Sequence, residues 1–251
     1  MRRIIGSNVK RKRAYFLQLD VQNFFMSIDK KILFNLIENK VNDFGGWNSL
    51  FKKELLWLLE KIVFHDPTSE FIQKSSNSIS DLVPMYKSLI YVEKGKGLPI
   101  GNHTSQFFAN VYLHELDFYV KNVLRCRHYV RYVDDFILLS DSKEQLLSWF
   151  WEIKDFLKNS LLLNLNSRVI LLSLGNGIDF LGYITRPWSI YVRKRVIINF
   201  KKKIKDYNKL VEKGELDEDD KKQFRAIKAS YFGHFKHANC FRIRKELLCL
   251  K

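Results

Sequence analysis

Cysteine is scarce and unpaired in this chain. Cys126, Cys240 and Cys249 are the only three. An odd number with no Cys-x-x-Cys spacing excludes a disulfide framework, and the six histidines complete no zinc pattern with them. Reduced thiols in a cytoplasmic protein are therefore expected. Long apolar runs are missing too. No stretch approaches the roughly 20 residues of a membrane span. The start, Met1-Arg2-Arg3-Ile4-Ile5-Gly6, holds no signal-peptide core. No membrane partner is expected. Negative charge is in deficit: 27 acids stand against 43 Lys and Arg, a formal charge of +16. Such an excess points to a polyanion, most simply nucleic acid. A uniformly Lys-rich composition would give the same figure, so charge alone names no partner.

What is present is a foldable chain. It has 251 residues, 46% apolar and 14% aromatic, enough for one large core or two modest lobes. Its focus is Tyr132-Val133-Asp134-Asp135. The apolar runs Cys126–Arg131 and Phe136–Ser140 flank these acids. That pattern predicts a β-hairpin with carboxylates at its tip. Adjacent acids repel and desolvate badly, so the tip is either an exposed turn or a place for a cation.

Earlier in the chain, Ala14–Leu19 reads as a buried strand delivering Asp20 at its end. Ser27 is a candidate cap for a helix from Ile28 to Lys40, with Asp29 in its first turn. Gly45-Gly46 breaks the chain. Asn48 or Ser49 then opens a helix to about Phe64, with Leu55, Leu56, Leu58, Leu59, Ile62 and Val63 as its apolar face. Residues 65–96 read as loop, with Asp66-Pro67, Ser75–Ser78 and Pro84 as breakers. Gly95–Asn102 is a glycine-punctuated loop running into a helix from about Thr104 to Leu124. Phe108, Tyr112, Leu116, Tyr119 and Val123 form its stripe. Ser142-Lys143-Glu144-Gln145 matches a capping box for a helix to about Asn159. Gly175-Asn176-Gly177 reads as a hairpin turn into a strand over Ile178–Ile184. From Arg193 the composition becomes Lys-rich and helical, with a polar linker near Gly214–Asp220. This shift marks the one domain boundary expected.

Three carboxylates, Asp20, Asp134 and Asp135, are thus expected at strand ends on one sheet edge, covered by helices. Oxygen ligands in this number suit Mg²⁺, which completes its shell from water and substrate phosphate. Two ions about 3.5–4 Å apart would activate a hydroxyl and stabilise a leaving pyrophosphate.

Four stretches in order now carry a resemblance. Phe16–Phe25 is similar to the first catalytic motif of reverse transcriptases, and Tyr132–Asp135 to their Tyr-x-Asp-Asp motif. Gly97–Gly101 with Ser105–Leu113 resembles the template- and nucleotide-contacting motif, and Gly177–Tyr183 the stretch leading into the primer grip. The spacing matches from about residue 14 to 251. Ile100, Gly101, Asn102, Ser105 and Gln106, with the tail Ala229–Asn239, resemble the diversity-generating retroelement type.

The resemblance implies an α+β fold: a right-hand polymerase palm, an antiparallel sheet with helices on one face, followed by a helical thumb. It divides the chain into a basic fingers remnant (1–13), a palm with helical insertions (14–192) and a thumb (193–251). The implied activity is RNA-directed DNA polymerisation, copying template RNA into adenine-mutagenised cDNA. Asp20, Asp134 and Asp135 would be catalytic. With Val21 they would hold two Mg²⁺, or Mn²⁺, ions. Phe25, Ile100, Gly101, Ser105 and Gln106 would bind nucleotide, with Phe25 as a steric gate against the ribose 2′-hydroxyl or else a core aromatic beside Phe24. Ile100 replaces an amide found in many relatives and is either linked to adenine infidelity or an ordinary loop residue. Phe180, Leu181 and Gly182 would form the primer grip, and Lys236, Arg242 and Arg244 would contact nucleic acid. Arg168 is a solvated strand charge or an aid to pyrophosphate departure; His234 and His237 are packing or phosphate contacts.

Implied partners are template RNA, a DNA primer, dNTPs and a basic accessory variability determinant protein. Only Met1–Arg13 precede the first strand, so Arg2, Arg3 and Arg11 cannot rebuild a fingers lobe. A separate fingers polypeptide is therefore a further expected partner. The rival readings are a non-catalytic or partner-dependent nucleic-acid-binding fragment, and a retron or group II intron-type enzyme.

Overall fold

The computed structural model describes residues 14–69 and 84–249. Arg2, Arg3, Arg11 and the rest of residues 1–13, and the Ser75–Ser78 breaker, lie outside the described residues. Two compact units emerge among the described residues: those within 17–171, and 172–249 together with 14–16.

The first strand, β1 (Tyr15–Asp20), buries Phe16, Leu17 and Leu19. A four-residue helix, α1 (Phe24–Ser27), follows, then α2 (Lys30–Asp43). The cap of α2 is Asp29 rather than Ser27. Its carboxylate accepts from the backbone N–H of Lys31 and Ile32, while the Ser27 hydroxyl donates to the Gln22 carbonyl. A carboxylate satisfies two orphan N–H groups and meets the helix dipole, so it outcompetes the hydroxyl. Asn48 caps α3 (Ser49–Phe64), accepting from Phe51 N–H. Only Val63 of α3 is buried. Leu58 and Ile62, expected on its inner face, are exposed, as are Leu50, Phe51 and Trp57.

Beyond two short 3₁₀ turns, Met85–Lys87 and Leu89–Tyr91, the glycine loop leads into α4 (His103–Phe118). Phe108, Tyr112 and Leu116 are buried as the stripe predicts. Past Phe118 the chain makes a π turn over Tyr119–Val123, in which Leu124 N–H reaches the Tyr119 carbonyl. The wider turn rotates the face, so Val120 is buried and Val123 is exposed. Tyr112 is the hub of this unit. Its hydroxyl donates to the Leu161 carbonyl at 2.8 Å and accepts from Asp29 N–H at 3.4 Å. Burial pushes its pKa far above the usual phenol range. Tyr112→Phe leaves a buried carbonyl and a helix-entry N–H without this partner. A loss of about 1–3 kcal/mol is expected in urea unfolding; an unchanged midpoint would remove the hub role.

The hairpin pairs β2 (His128–Tyr132) with β3 (Asp135–Ser140), antiparallel, with Tyr132 opposite Asp135. All of Phe136–Ser140 is buried, as a central strand requires. Ser142 caps α5 (Lys143–Ser160) by accepting from Gln145 N–H, while the Gln145 amide oxygen accepts from the Ser140 hydroxyl. With β4 (Ile170–Ser173), the sheet order is β2-β3-β1-β4.

In the second unit, Gly175–Gly177 is not a hairpin turn. A 3₁₀ turn over Leu174–Asn176 carries the chain from β4 to a different sheet. There β5 (Ile178–Phe180), β6 (Tyr183–Thr185) and β7 (Ile190–Val192) form an antiparallel meander. The expected single strand over Ile178–Ile184 is therefore split by a two-residue turn. Leu181 and Gly182 both have positive φ, 53° and 83°, the geometry that matches strand twist in tight hairpins. Three helices follow: α6 (Lys194–Lys213), ended by Gly214 in the left-handed region, α7 (Glu218–Phe235) and α8 (Phe241–Cys249). Phe200, Ile204, Phe235, Cys240 and Leu247 form their core with Val192. Cys126 and Cys240 are free and buried, and burial pushes the Cys126 thiol up to about 11. Among the described residues no helix is long and apolar enough to cross a membrane.

Candidate active site

Asp20 ends β1, and the chain beside it is fixed by backbone bonds on two sides. Val21 N–H donates to the Asp134 carbonyl at 3.3 Å, tying the strand end to the hairpin tip. Asn166 N–H donates to the Asp20 carbonyl, and Gln22 N–H to the Asn164 carbonyl, both at 2.8 Å. The segment 164–166 therefore runs beside residues 20–22 as an added edge. It brings the Asn166 amide to the Asp20 carboxylate at 3.4 Å.

The carboxylates feel one another strongly. Burial first, then the charges of Asp134 and Asp135, push Asp20 up to about 6. Burial also raises Asp134. Asp135 is turned towards Gln18, whose amide donates to it at 3.2 Å. Gln18 and Asp20 are two apart on β1, so they share a face. Among the described residues, no three acidic, imidazole or thiol side chains converge closely enough to enclose one cation. The expected metal set of Asp20, Val21, Asp134 and Asp135 is thus present as a cluster, not as a closed cage. Val21 is buried and offers only its carbonyl as a ligand. The donor set still fits a hard divalent ion. All its donors are oxygen.

The hairpin tip is itself strained. Val133 has φ 56°, in the left-handed region that a β-branched residue avoids at a cost of about 1–3 kcal/mol. The Arg131 guanidinium holds it. Nη1 donates to the Val133 carbonyl at 2.8 Å, and Nε and Nη2 grip the Asp117 carboxylate at 2.8 and 2.6 Å.

The nucleotide-binding candidates divide. Phe24 is buried and Phe25 only half-buried, with their rings 5.5 Å apart. The Phe25 carbonyl accepts from Leu98 N–H at 2.8 Å, so the glycine loop is stitched to this motif. Gly101 has φ 105°, which only glycine adopts without strain. Ile100 is 69% exposed and Gln106 is exposed, whereas Ser105 is 2% exposed. Ser105 lines a cavity of about 310 Å³ with Lys30, Lys61, His65 and Asn102. Lys30 is almost fully buried there and donates to the His65 carbonyl. Arg168 is exposed.

The remaining candidates belong to the second unit. Phe180 precedes the Leu181-Gly182 turn, and Arg193 N–H donates to the Gly182 carbonyl. Tyr183 stacks on His234, and its hydroxyl donates to the His234 carbonyl. His234 is therefore a packing residue. His237 and Lys236 are exposed. Arg242 and Arg244 line a cavity of about 660 Å³ beside Tyr191, with Arg244 over the Phe232 ring.

Sequence reasoning missed Gln18, Asn166, Asp117 and Asn110. Alternation along β1 could have found Gln18. The other three reach the site from distant segments with no local signal.

A mixed helix and antiparallel-sheet palm bearing paired carboxylates at a hairpin tip defines the nucleic-acid polymerase class. The profile of the family described as "Reverse transcriptase (RNA-dependent DNA polymerase)" matches residues 4–185, and the chain belongs to that family. No curated protein matches. Among solved structures, apo telomerase from Candida tropicalis, truncated of its C-terminal domain, is similar at 14% identity and a TM-score of 0.51. That match covers 76% of this chain and 39% of the telomerase. Telomerase from Candida albicans, in complex with a fragment of telomeric RNA, matches at 15% identity and TM-score 0.45, covering 76% and 33%. The chain thus spans well under half the length of these telomerases.

Proposed function

We propose that this chain is an RNA-directed DNA polymerase that extends a DNA primer on template RNA by two-metal nucleotidyl transfer. The observation that carries the reading is the tie between the two acidic strand ends: Val21 N–H donates to the Asp134 carbonyl, and the charges of Asp134 and Asp135 press on Asp20. Asp20, Asp134, Asp135 and the Val21 carbonyl would hold Mg²⁺, which when bound neutralises phosphate charge and activates the primer hydroxyl. Asn166 orients Asp20, and Gln18 orients Asp135. The direct test is Mg²⁺-dependent dNTP incorporation on a primed RNA template, with the chain alone and with a fingers fragment supplied in trans. Incorporation in either arm supports the reading; none in both removes it.

The functional divisions proposed are palm (14–192) and thumb (193–251). The basic helices α6–α8 would track the duplex through salt-dependent phosphate contacts. The Ile100–Gln106 pattern favours the diversity-generating type, with cDNA carrying errors at adenines and a basic accessory protein as partner.

Phe25 is the proposed gate. Its partial exposure, beside a fully buried Phe24, leaves a ring edge for the sugar. Phe25→Val is expected to raise ribonucleotide use relative to deoxyribonucleotide use by roughly 10–100-fold in kcat/KM. An unchanged ratio would make Phe25 a core aromatic only.

A further inference from the structure

The geometry points to Arg131 and Asp117 as a positioning pair that sets the catalytic turn. This inference rests on the polymerase reading of the same site.

Asp134 is gripped through both of its flanking peptide units. On one side the Val133 carbonyl accepts from Arg131 Nη1 at 2.8 Å. On the other, the Asp134 carbonyl accepts from Val21 N–H at 3.3 Å. With both peptide planes fixed, the Asp134 side chain has a defined origin facing Asp20. The first grip acts on a residue that would otherwise leave its conformation, because Val133 sits at φ 56°.

Arg131 can do this because it is itself held. Its side chain is only 10% exposed. Nε and Nη2 form a two-pronged bond to Asp117 at 2.8 and 2.6 Å, and Nη1 also reaches the Asn110 amide oxygen at 3.3 Å. The Tyr129 hydroxyl donates to the same Asp117 carboxylate at 2.9 Å. Asp117 and Asn110 lie seven residues apart on α4, two turns along one face. The Asn110 amide in turn donates to the Gln106 carbonyl at 3.1 Å. The helix that carries Ser105 and Gln106 is thereby wired to the catalytic turn by one planar guanidinium. Lysine has charge but no fork, so it cannot hold Asp117 and the Val133 carbonyl together.

The test uses Arg131→Lys in two backgrounds, the parent and Val133→Gly. Glycine adopts positive φ freely, so the turn should no longer need the grip. The activity-free readout is Mn²⁺ binding, followed by the electron-spin-resonance signal of the free ion. Incorporation kinetics on primed RNA are the second readout. In the parent background, Arg131→Lys is expected to weaken Mn²⁺ half-saturation and kcat by about 10–100-fold, with the melting temperature little changed. In the Val133→Gly background the same substitution is expected to cost less than about threefold, a coupling that a merely structural role would not produce. Parent-like Mn²⁺ binding in Arg131→Lys would overturn the inference, as would equal losses in both backgrounds. If Arg131→Lys does not fold, Arg131→Met combined with Asp117→Leu removes the pair without stranding a buried charge. The same loss supports the inference, and parent-like binding ends it. A parent chain that binds Mn²⁺ but incorporates no nucleotide would sink the polymerase reading while leaving the turn device intact.

Discussion

Asp134→Asn is expected to lower nucleotide incorporation on a primed RNA template by at least about a thousandfold, roughly 4 kcal/mol of transition-state stabilisation. The size follows from the role. Asp134 is the acid whose charge presses hardest on Asp20, and both its peptide planes are fixed. An amide is nearly isosteric, so the turn and its grip by Arg131 should persist. What changes is one unit of negative charge where a divalent ion would be neutralised. The loss should therefore fall on kcat and on the metal requirement, not on template binding. A second readout separates this from misfolding. The charge of Asp134 is the largest electrostatic influence on Asp20 after burial. Removing it should move the Asp20 titration down towards the ordinary carboxylate range, visible by carboxyl-carbon resonance against pH. Asp135→Asn should shift Asp20 less, because Asp135 acts on it more weakly. Incorporation within tenfold of the parent in Asp134→Asn would end the polymerase reading.

Much of this site is legible in the sequence because its signals are local. Apolar runs bracketing Asp134-Asp135 specify a hairpin, and burial of all of Phe136–Ser140 is what a continuous apolar run encodes. The caps at Asn48 and Ser142 are read from three or four residues. The errors are also physical. Ser27 and Asp29 both suit a cap, and only the chain path decides between them. A constant period carries the stripe on α4 through to Val123, whereas a π turn shifts it by one residue after Phe118. The strand over Ile178–Ile184 hid a turn because Leu181, an apolar residue, occupies a positive-φ position normally given to Asn or Gly. Of the six residues expected on the apolar face of α3, only Val63 is buried; Leu55, Leu56 and Leu59 are half-buried, and Leu58 and Ile62 are exposed. Side-chain partnerships lay furthest out of reach. Gln18 and Asp135 are 117 positions apart, and Asn166 and Asp20 are 146 apart. Periodicity carries no information over that distance.

Asp20→Asn is expected to make the metal-free protein more stable at neutral pH while abolishing its activity. The sign comes from the folded-state titration. Asp20 protonates at about 6 in the folded chain and near 3.8 when unfolded. Between those values the folded state binds more protons than the unfolded one, so stability falls as pH rises through the window. Below pH 4 both states are protonated and the acid costs nothing. Above about pH 6.5 the full penalty of holding a buried charge beside Asp134 and Asp135 is present. Two pH units set a ceiling of roughly 3 kcal/mol; solvent screening at this partly exposed group brings the expectation to about 1–2 kcal/mol. The amide keeps an oxygen for Asn166, so little else is lost. In chelator-treated buffer at pH 8, Asp20→Asn should therefore melt several degrees above the parent, at about 2–4 °C per kcal/mol. The gap should close by pH 4. Adding Mg²⁺ should reverse the order, because an ion bound by the folded parent stabilises it by mass action and finds a weaker site in the variant. A gap that persists at pH 4 would assign the stabilisation to packing. A gap absent at pH 8 would mean that the acids are not crowded. A gap that Mg²⁺ leaves untouched would mean that the crowding serves no metal.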